Sequence, residues 1–190
     1  MNLITDDMLL EFYNNRGRAT YERLSSAFAI YPGIGTMQGL AYVSLKLTGE
    51  CAELQTASNP NDIVKEAGDV LWYLGALNRE LGLEVRDIAR MDADCSTIGS
   101  DWYTIYHTIP DPLLAAATLG EMVGKAMRDD GEVTTARLDS IQEQSLLIWV
   151  ALCDTLTFHK CPMSECMLTN LEKLRDRSMR GTLGGSGDNR

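Results

Sequence analysis

The chain has 190 residues, 45% of them hydrophobic, which is enough for one domain with a sizeable core. Its 17 Lys and Arg against 27 Asp and Glu leave a formal net charge of −10, which argues against nucleic acid as the main partner and for an acidic surface or a cation site. Five cysteines without a paired spacing, no apolar start resembling a signal peptide and no run approaching the roughly 20 apolar residues of a membrane span predict a soluble protein of the reducing cytoplasm, with no membrane partner.

Helical periodicity dominates and strand signals are nearly absent, so the expected fold is all-α. Residues 5–29 predict a first helix that Thr5 or Asp6 can cap and that "YPGIG" at 31–35 ends. A second helix is expected from about Thr36 to Ala57. "SNPN" at 58–61 then makes a tight turn, with Pro60 suited to the first positions of the next helix. That helix has the clearest pattern in the chain, since Ile63, Ala67, Val70, Leu71, Leu74, Leu77 and Leu81 repeat every 3.6 residues, and Gly82 ends it. Residues 83–95 read as a shorter helix, 96–112 as an irregular connection carrying "DWYTIYH", and 113–177 as helices again. The tail "RGTLGGSGDNR" is glycine-rich and is expected to move freely when nothing is bound.

Two acid pairs stand out: Glu50 and Glu53 in "GECAEL", and Glu66 and Asp69 in "KEAGDV". Like charges on neighbouring turns repel by a few tenths of a kcal/mol, so something should compensate. At about 100° per residue, Glu50 and Glu53 lie to one side of the stripe Leu40, Val43, Leu47, Cys51 and Leu54. Glu66 and Asp69 lie to the same rotational side of theirs, so in an antiparallel hairpin the pairs face one seam. Positions 53 and 66, and positions 50 and 69, share the midpoint 59.5, inside "SNPN", which sets the four carboxylates at matching levels. Such a group takes up protons or holds cations, and hard oxygen donors without His or Cys nearby suit Mg²⁺ or Mn²⁺ better than zinc. The plain alternative is a solvated, salt-bridged helix face.

"LKLTGECAEL" followed by "DIVKEAGDVLWYLGAL" resembles the ExxE...ExxD signature of the MazG-like all-α nucleoside triphosphate pyrophosphatases, a superfamily that includes the dimeric dUTPases. The likeness covers about 60 residues, from Gly39 to near Cys95. It implies an all-α helical bundle in which Glu50, Glu53, Glu66 and Asp69 bind Mg²⁺ and serve catalysis, with hydrolysis of a nucleoside triphosphate to the monophosphate and pyrophosphate. The chemistry expected of such a site is metal-assisted: the cation shields the phosphate charge and lowers the pKa of an attacking water, which one of the acids orients or deprotonates.

The second half reads as a worn duplicate of the first. Gly120-Glu121 can be laid on Gly49-Glu50, Trp149 on Trp72, and, after a one-residue shift, Asn170 on Asp92. This second copy keeps Glu121 and Glu143 but has Gly124 and Leu146 where Glu53 and Asp69 stand, so it should not hold metal. It carries "NLEKL" at 170–174, like the NxxKL stretch of short family members, where the first copy has "DADC" at 92–95. A composite site is expected, with Asn170, Lys173 and Arg177 reaching the phosphates. Arg180 and Arg190 in the tail, which resembles the ends of phage MazG-like proteins, are further candidates for substrate binding. The organisation expected is a single domain over 1–190: an N-terminal helical extension at 1–35, a metal-binding repeat at 36–95, a degenerate second repeat at 113–177 and the tail at 178–190.

Other candidates read as structural. Cys153, His159, Cys161 and Cys166 fit no common zinc spacing and are better taken as buried thiols. His107 has no readable partner, and "GIGTMQG" at 33–39 lacks the strand and the Gly-Lys-Ser/Thr of a phosphate loop. Trp72, Tyr73, Trp102, Tyr103 and Tyr106 are expected mostly in the core, although a ring could stack on a base. The function expected is a Mg²⁺-dependent, or Mn²⁺-dependent, (deoxy)nucleoside triphosphate pyrophosphohydrolase acting on the nucleotide pool, a phage enzyme for dGTP or dATP, working as a homo-oligomer (dimer or tetramer). The alternatives are a non-catalytic helical binding or regulatory protein and a dUTPase- or dCTPase-like enzyme.

Overall fold

The computed structural model describes residues 6–15, 17–83 and 109–183, and among these every regular element is helical. The expected first helix over 5–29 is in fact two, α1 (Asp6–Asn14) and α2 (Arg18–Ser26). The break falls at Gly17, whose extended backbone (φ −108°, ψ 153°) caps α2 and whose N–H turns back to the Asn15 carbonyl at 2.8 Å. Thr5 lies outside the described residues.

α3 (Met37–Thr56) starts at Thr36, whose hydroxyl accepts from the Gly39 N–H. α4 (Pro60–Glu80) starts at Asn59, which accepts from the Asp62 N–H, with Pro60 at a position that needs no amide donor. The three residues between them fold the pair into a hairpin whose facing stripes, Leu40, Val43, Leu47, Cys51 and Leu54 against Ile63, Ala67, Val70, Leu74 and Leu77, are all buried. Each large aliphatic side chain removed from water there contributes about 1.5–3 kcal/mol.

The second hairpin consists of α5 (Pro112–Lys125) and α6 (Thr135–His159), with a π-helical turn at Ala126–Asp130 after α5. Asp111 caps α5 by accepting from the Leu113 and Leu114 amides, and Gln55 at the end of α3 donates to the same carboxylate at 2.9 Å. α7 (Met163–Met179) follows. α3 packs on α5, α4 packs on α7, and α2 lies against both α4 and α7. One apolar core draws on all seven α-helices. The helix expected at 83–95 and the "DWYTIYH" connection lie outside the described residues, except for Leu83 and 109–111, which are not helical. No helix among the described residues is long and apolar enough to cross a membrane.

Candidate metal centre

The short turn between α3 and α4 fixes the register of the two helices, and with it the seam where the acids stand. Carboxylate oxygens of Glu50, Glu53 and Glu66 all lie within 4.8 Å of one another. Glu50 and Glu66 are 7% and 8% exposed, whereas Glu53 is exposed and marks the solvent side of the group.

Burial raises the pKa of both inner acids. For Glu50 the loss of water is the largest cause and the Asp69 charge adds to it, while Lys46, with Nζ 3.2 Å from Oε1, pulls the other way. For Glu66 burial again leads, Lys65 at 3.0 Å opposes it, and the Asp69 and Glu53 charges add to it. Oε2 of Glu66 is buried and has no hydrogen-bond partner among the described residues. An unpartnered buried carboxylate oxygen is costly, and two more carboxylates beside it add repulsion. A divalent cation between them would answer both. The donors are all hard oxygens, without His or Cys among them, which fits Mg²⁺ or Mn²⁺.

Asp69, the fourth acid, turns away from this trio toward α7. Lys173 Nζ donates to both of its oxygens, and Asn170 Nδ2 donates to Oδ1 at 2.9 Å. Tyr21 in turn fixes Asn170, its hydroxyl donating to Asn170 Oδ1 at 2.8 Å and lying 3.3 Å from the Gly68 carbonyl. The Tyr21 hydroxyl is held protonated far above its ordinary range, first by burial and then by the Asp69 charge. Gly68 makes this approach of α7 to α4 feasible, because a Cβ there would meet the Cys166 carbonyl oxygen at 2.8 Å and Asn170 Cβ at 2.9 Å.

Sequence reasoning missed Tyr21, Gly68, Lys46 and Lys65. Gly68 alone left a readable mark, a glycine inside a strongly periodic helix. Asn170 and Lys173 come together with the acids; Arg177 is buried at 8% exposure, and Arg180 is exposed and pairs with Asp176 at 2.6 Å. Arg190 lies outside the described residues, as do Trp102, Tyr103, Tyr106 and His107.

Among the aromatic side chains, Tyr31 stacks on Tyr42 with ring centres 5.6 Å apart, and Trp72 meets Tyr73 edge-on at 4.6 Å. Trp72 is core, and its indole N–H reaches the Ser25 carbonyl at 3.4 Å. Tyr73 is half-buried, with Lys46 Nζ 5.8 Å from its ring centre. In the second hairpin Glu121 is exposed and bound to Lys125 at 2.7 Å, and Glu143 is exposed. Cys51, Cys153, Cys161 and Cys166 are buried and form no disulfide.

The "Gene 37 protein" of Mycobacterium phage L5 is 35% identical to this chain over 78 aligned residues, a match that takes in 32% of this chain and 68% of the phage protein. No family model matches the chain, and no solved structure matches it significantly.

Proposed function

The chain belongs to the family of the Gene 37 protein of Mycobacterium phage L5, and we propose that it is a divalent-cation-dependent (deoxy)nucleoside triphosphate pyrophosphohydrolase. The observation that carries this reading is the convergence of Glu50, Glu53 and Glu66 within 4.8 Å around a buried, unpartnered Glu66 oxygen. Its resemblance to the MazG-like signature supplies the reaction class.

Glu50, Glu53 and Glu66 would hold the cation, with Asp69 adding charge from the adjoining turn. When bound, the cation supplies charge neutralisation for a triphosphate and a lowered pKa for water. The chain's own residues do the rest. Exposed Glu53 stands at the solvent side, where it can orient a water or take its proton. Lys173, held at the rim of the site by Asp69, exchanges that carboxylate for a phosphate oxygen and stabilises the charge that develops on departing pyrophosphate. Asn170 is 2% exposed and stays with Asp69 and Tyr21, so it positions Asp69 rather than touching substrate. Half-buried Tyr42 and Tyr73 offer aromatic faces to a base beside the acids. A homo-oligomer in the cytoplasm goes with this reading, and exposed Leu45, Leu114 and Phe158 give it apolar surface to cover.

The test is incubation with Mg²⁺ and each of the eight common nucleoside triphosphates. Monophosphate and pyrophosphate as products support the proposal. Orthophosphate alone, or no turnover with any of the eight, removes it.

A further inference from the structure

A cavity of about 380 Å³ opens where α2, α4 and α6 meet. It lies farther along α4 than the acids and is turned from them, since at 100° per residue Leu74 and Asn78 on its wall are about 80° and 120° around the helix from Glu66 and about 140° and 180° from Asp69. Its size is in the range of small-molecule sites, roughly 300–1,000 Å³.

Leu74, Leu83 and Leu146 give it apolar walls, and its polar groups come from three helices. Trp149 is 3% exposed, and its indole Nε1 is buried with no hydrogen-bond partner among the described residues. An indole N–H only donates, so an occupant that reaches it must present an acceptor. Asn78 on α4 is 6% exposed and can donate and accept. The Arg18 guanidinium carbon lies over Trp149, 4.1 Å from the ring centre, and its Nε donates to Glu22 at 2.8 Å, which offsets its charge. Exposed Asp139 and Glu143 stand at the mouth and repel phosphate. Glu143 and Leu146 are also the positions that sequence comparison sets against Glu66 and Asp69, so this wall of α6 is the counterpart of the acid-bearing face of α4.

We propose that this cavity is a second binding site, separate from the carboxylate centre, for an uncharged nitrogen heterocycle of nucleoside size. Ring faces meet the leucines, a ring acceptor takes the Trp149 N–H, and Asn78 and Gln142 read the remaining donors and acceptors. The inference does not rest on the proposed hydrolysis, because it requires neither the cation nor a phosphate.

The experiment is calorimetric titration of the full chain, without metal, with each of the four common deoxynucleosides, alongside ¹⁵N–¹H spectra of the indole groups. Saturable binding of at least one nucleoside is expected, with a shift of one indole N–H. Leu146→Phe, which narrows the cavity, should weaken binding at least tenfold, and Glu53→Gln should leave it unchanged. Gln142→Ala, at a half-buried helix position, gives an independent reading should Leu146→Phe lose its helical circular dichroism, and it too should weaken binding. No binding of any of the four at millimolar concentration overturns the proposal. So does binding that Glu53→Gln abolishes, or that both cavity variants leave intact, since the ligand would then sit elsewhere.

Discussion

At Glu66 one carboxylate oxygen takes Lys65 and the other takes nothing among the described residues, although both belong to a side chain only 8% exposed. Burial raises the pKa of this group and of Glu50 above the ordinary carboxyl value of 4.5, so the cation-free folded state binds their protons more tightly than the unfolded chain does. Their contribution to stability is therefore fully present below that ordinary value and is lost as pH rises through the raised folded values. Calorimetry in a chelator should show the wild-type melting temperature falling more steeply across this interval than that of Glu66→Gln, and saturating Mg²⁺ should narrow the difference. The same Glu66→Gln change should weaken Mn²⁺ binding by at least about 10–100-fold, the loss seen when a group that merely supports a metal ligand is removed. Lys173 poses a different question, because it touches Asp69 and not the trio. Lys173→Ala should leave Mn²⁺ affinity near normal while lowering kcat for triphosphate by about a hundredfold, the scale of losing one stabilising donor. Near-normal turnover would discard its role at the phosphates.

Between elements, the seam of α3 and α4 was legible because two local signals agree: a 3.6-residue stripe on each helix and a short capped turn that fixes how they meet. The repeat comparison already set Asn170 and Lys173 beside the acids; what was not legible is that they bind Asp69 directly, Asn170 across 101 residues of sequence, and that Tyr21 meets Asn170 across 149. No local pattern encodes such contacts. Hence the four acids, predicted to converge together, divide into three that face one another and one held by α7. The break between α1 and α2 escaped although it left a local mark, since Asn14, Asn15 and Gly17 interrupt the apolar pattern with turn-forming residues. At Gly68 there is no room for a Cβ between α4 and α7. Gly68→Ala must push α7 outward against the Cys166 carbonyl, costing about 1–3 kcal/mol as overpacking does. Because Lys173 moves with α7, turnover should fall more than cation binding, which depends on α3 and α4. A paired measurement of kcat and Mn²⁺ affinity checks this, and equal loss of both would mean that α7 also shapes the carboxylate trio.

Across the whole molecule, two helical hairpins share one core yet differ in what they gather on their faces. The first brings Glu50, Glu53 and Glu66 together, whereas in the second Glu121 is exposed and engaged by Lys125 and Glu143 opens on a separate cavity. Position 124 is a glycine and position 146 a leucine, so neither can add a carboxylate oxygen there. Fewer than three converging carboxylates at a solvent-exposed place leave little desolvation for a cation to relieve, and exposed pairs are worth only about 0–1 kcal/mol. Tight cation binding should therefore belong to the first hairpin alone. Titrating the chain with Mn²⁺ and following free ion by paramagnetic resonance should show that Glu66→Gln removes the whole tight class, while Glu121→Gln leaves its stoichiometry and affinity unchanged. A tight class that survives Glu66→Gln at half its size would place a second working centre in the α5–α6 hairpin, and the division of labour between the two hairpins would fall with it.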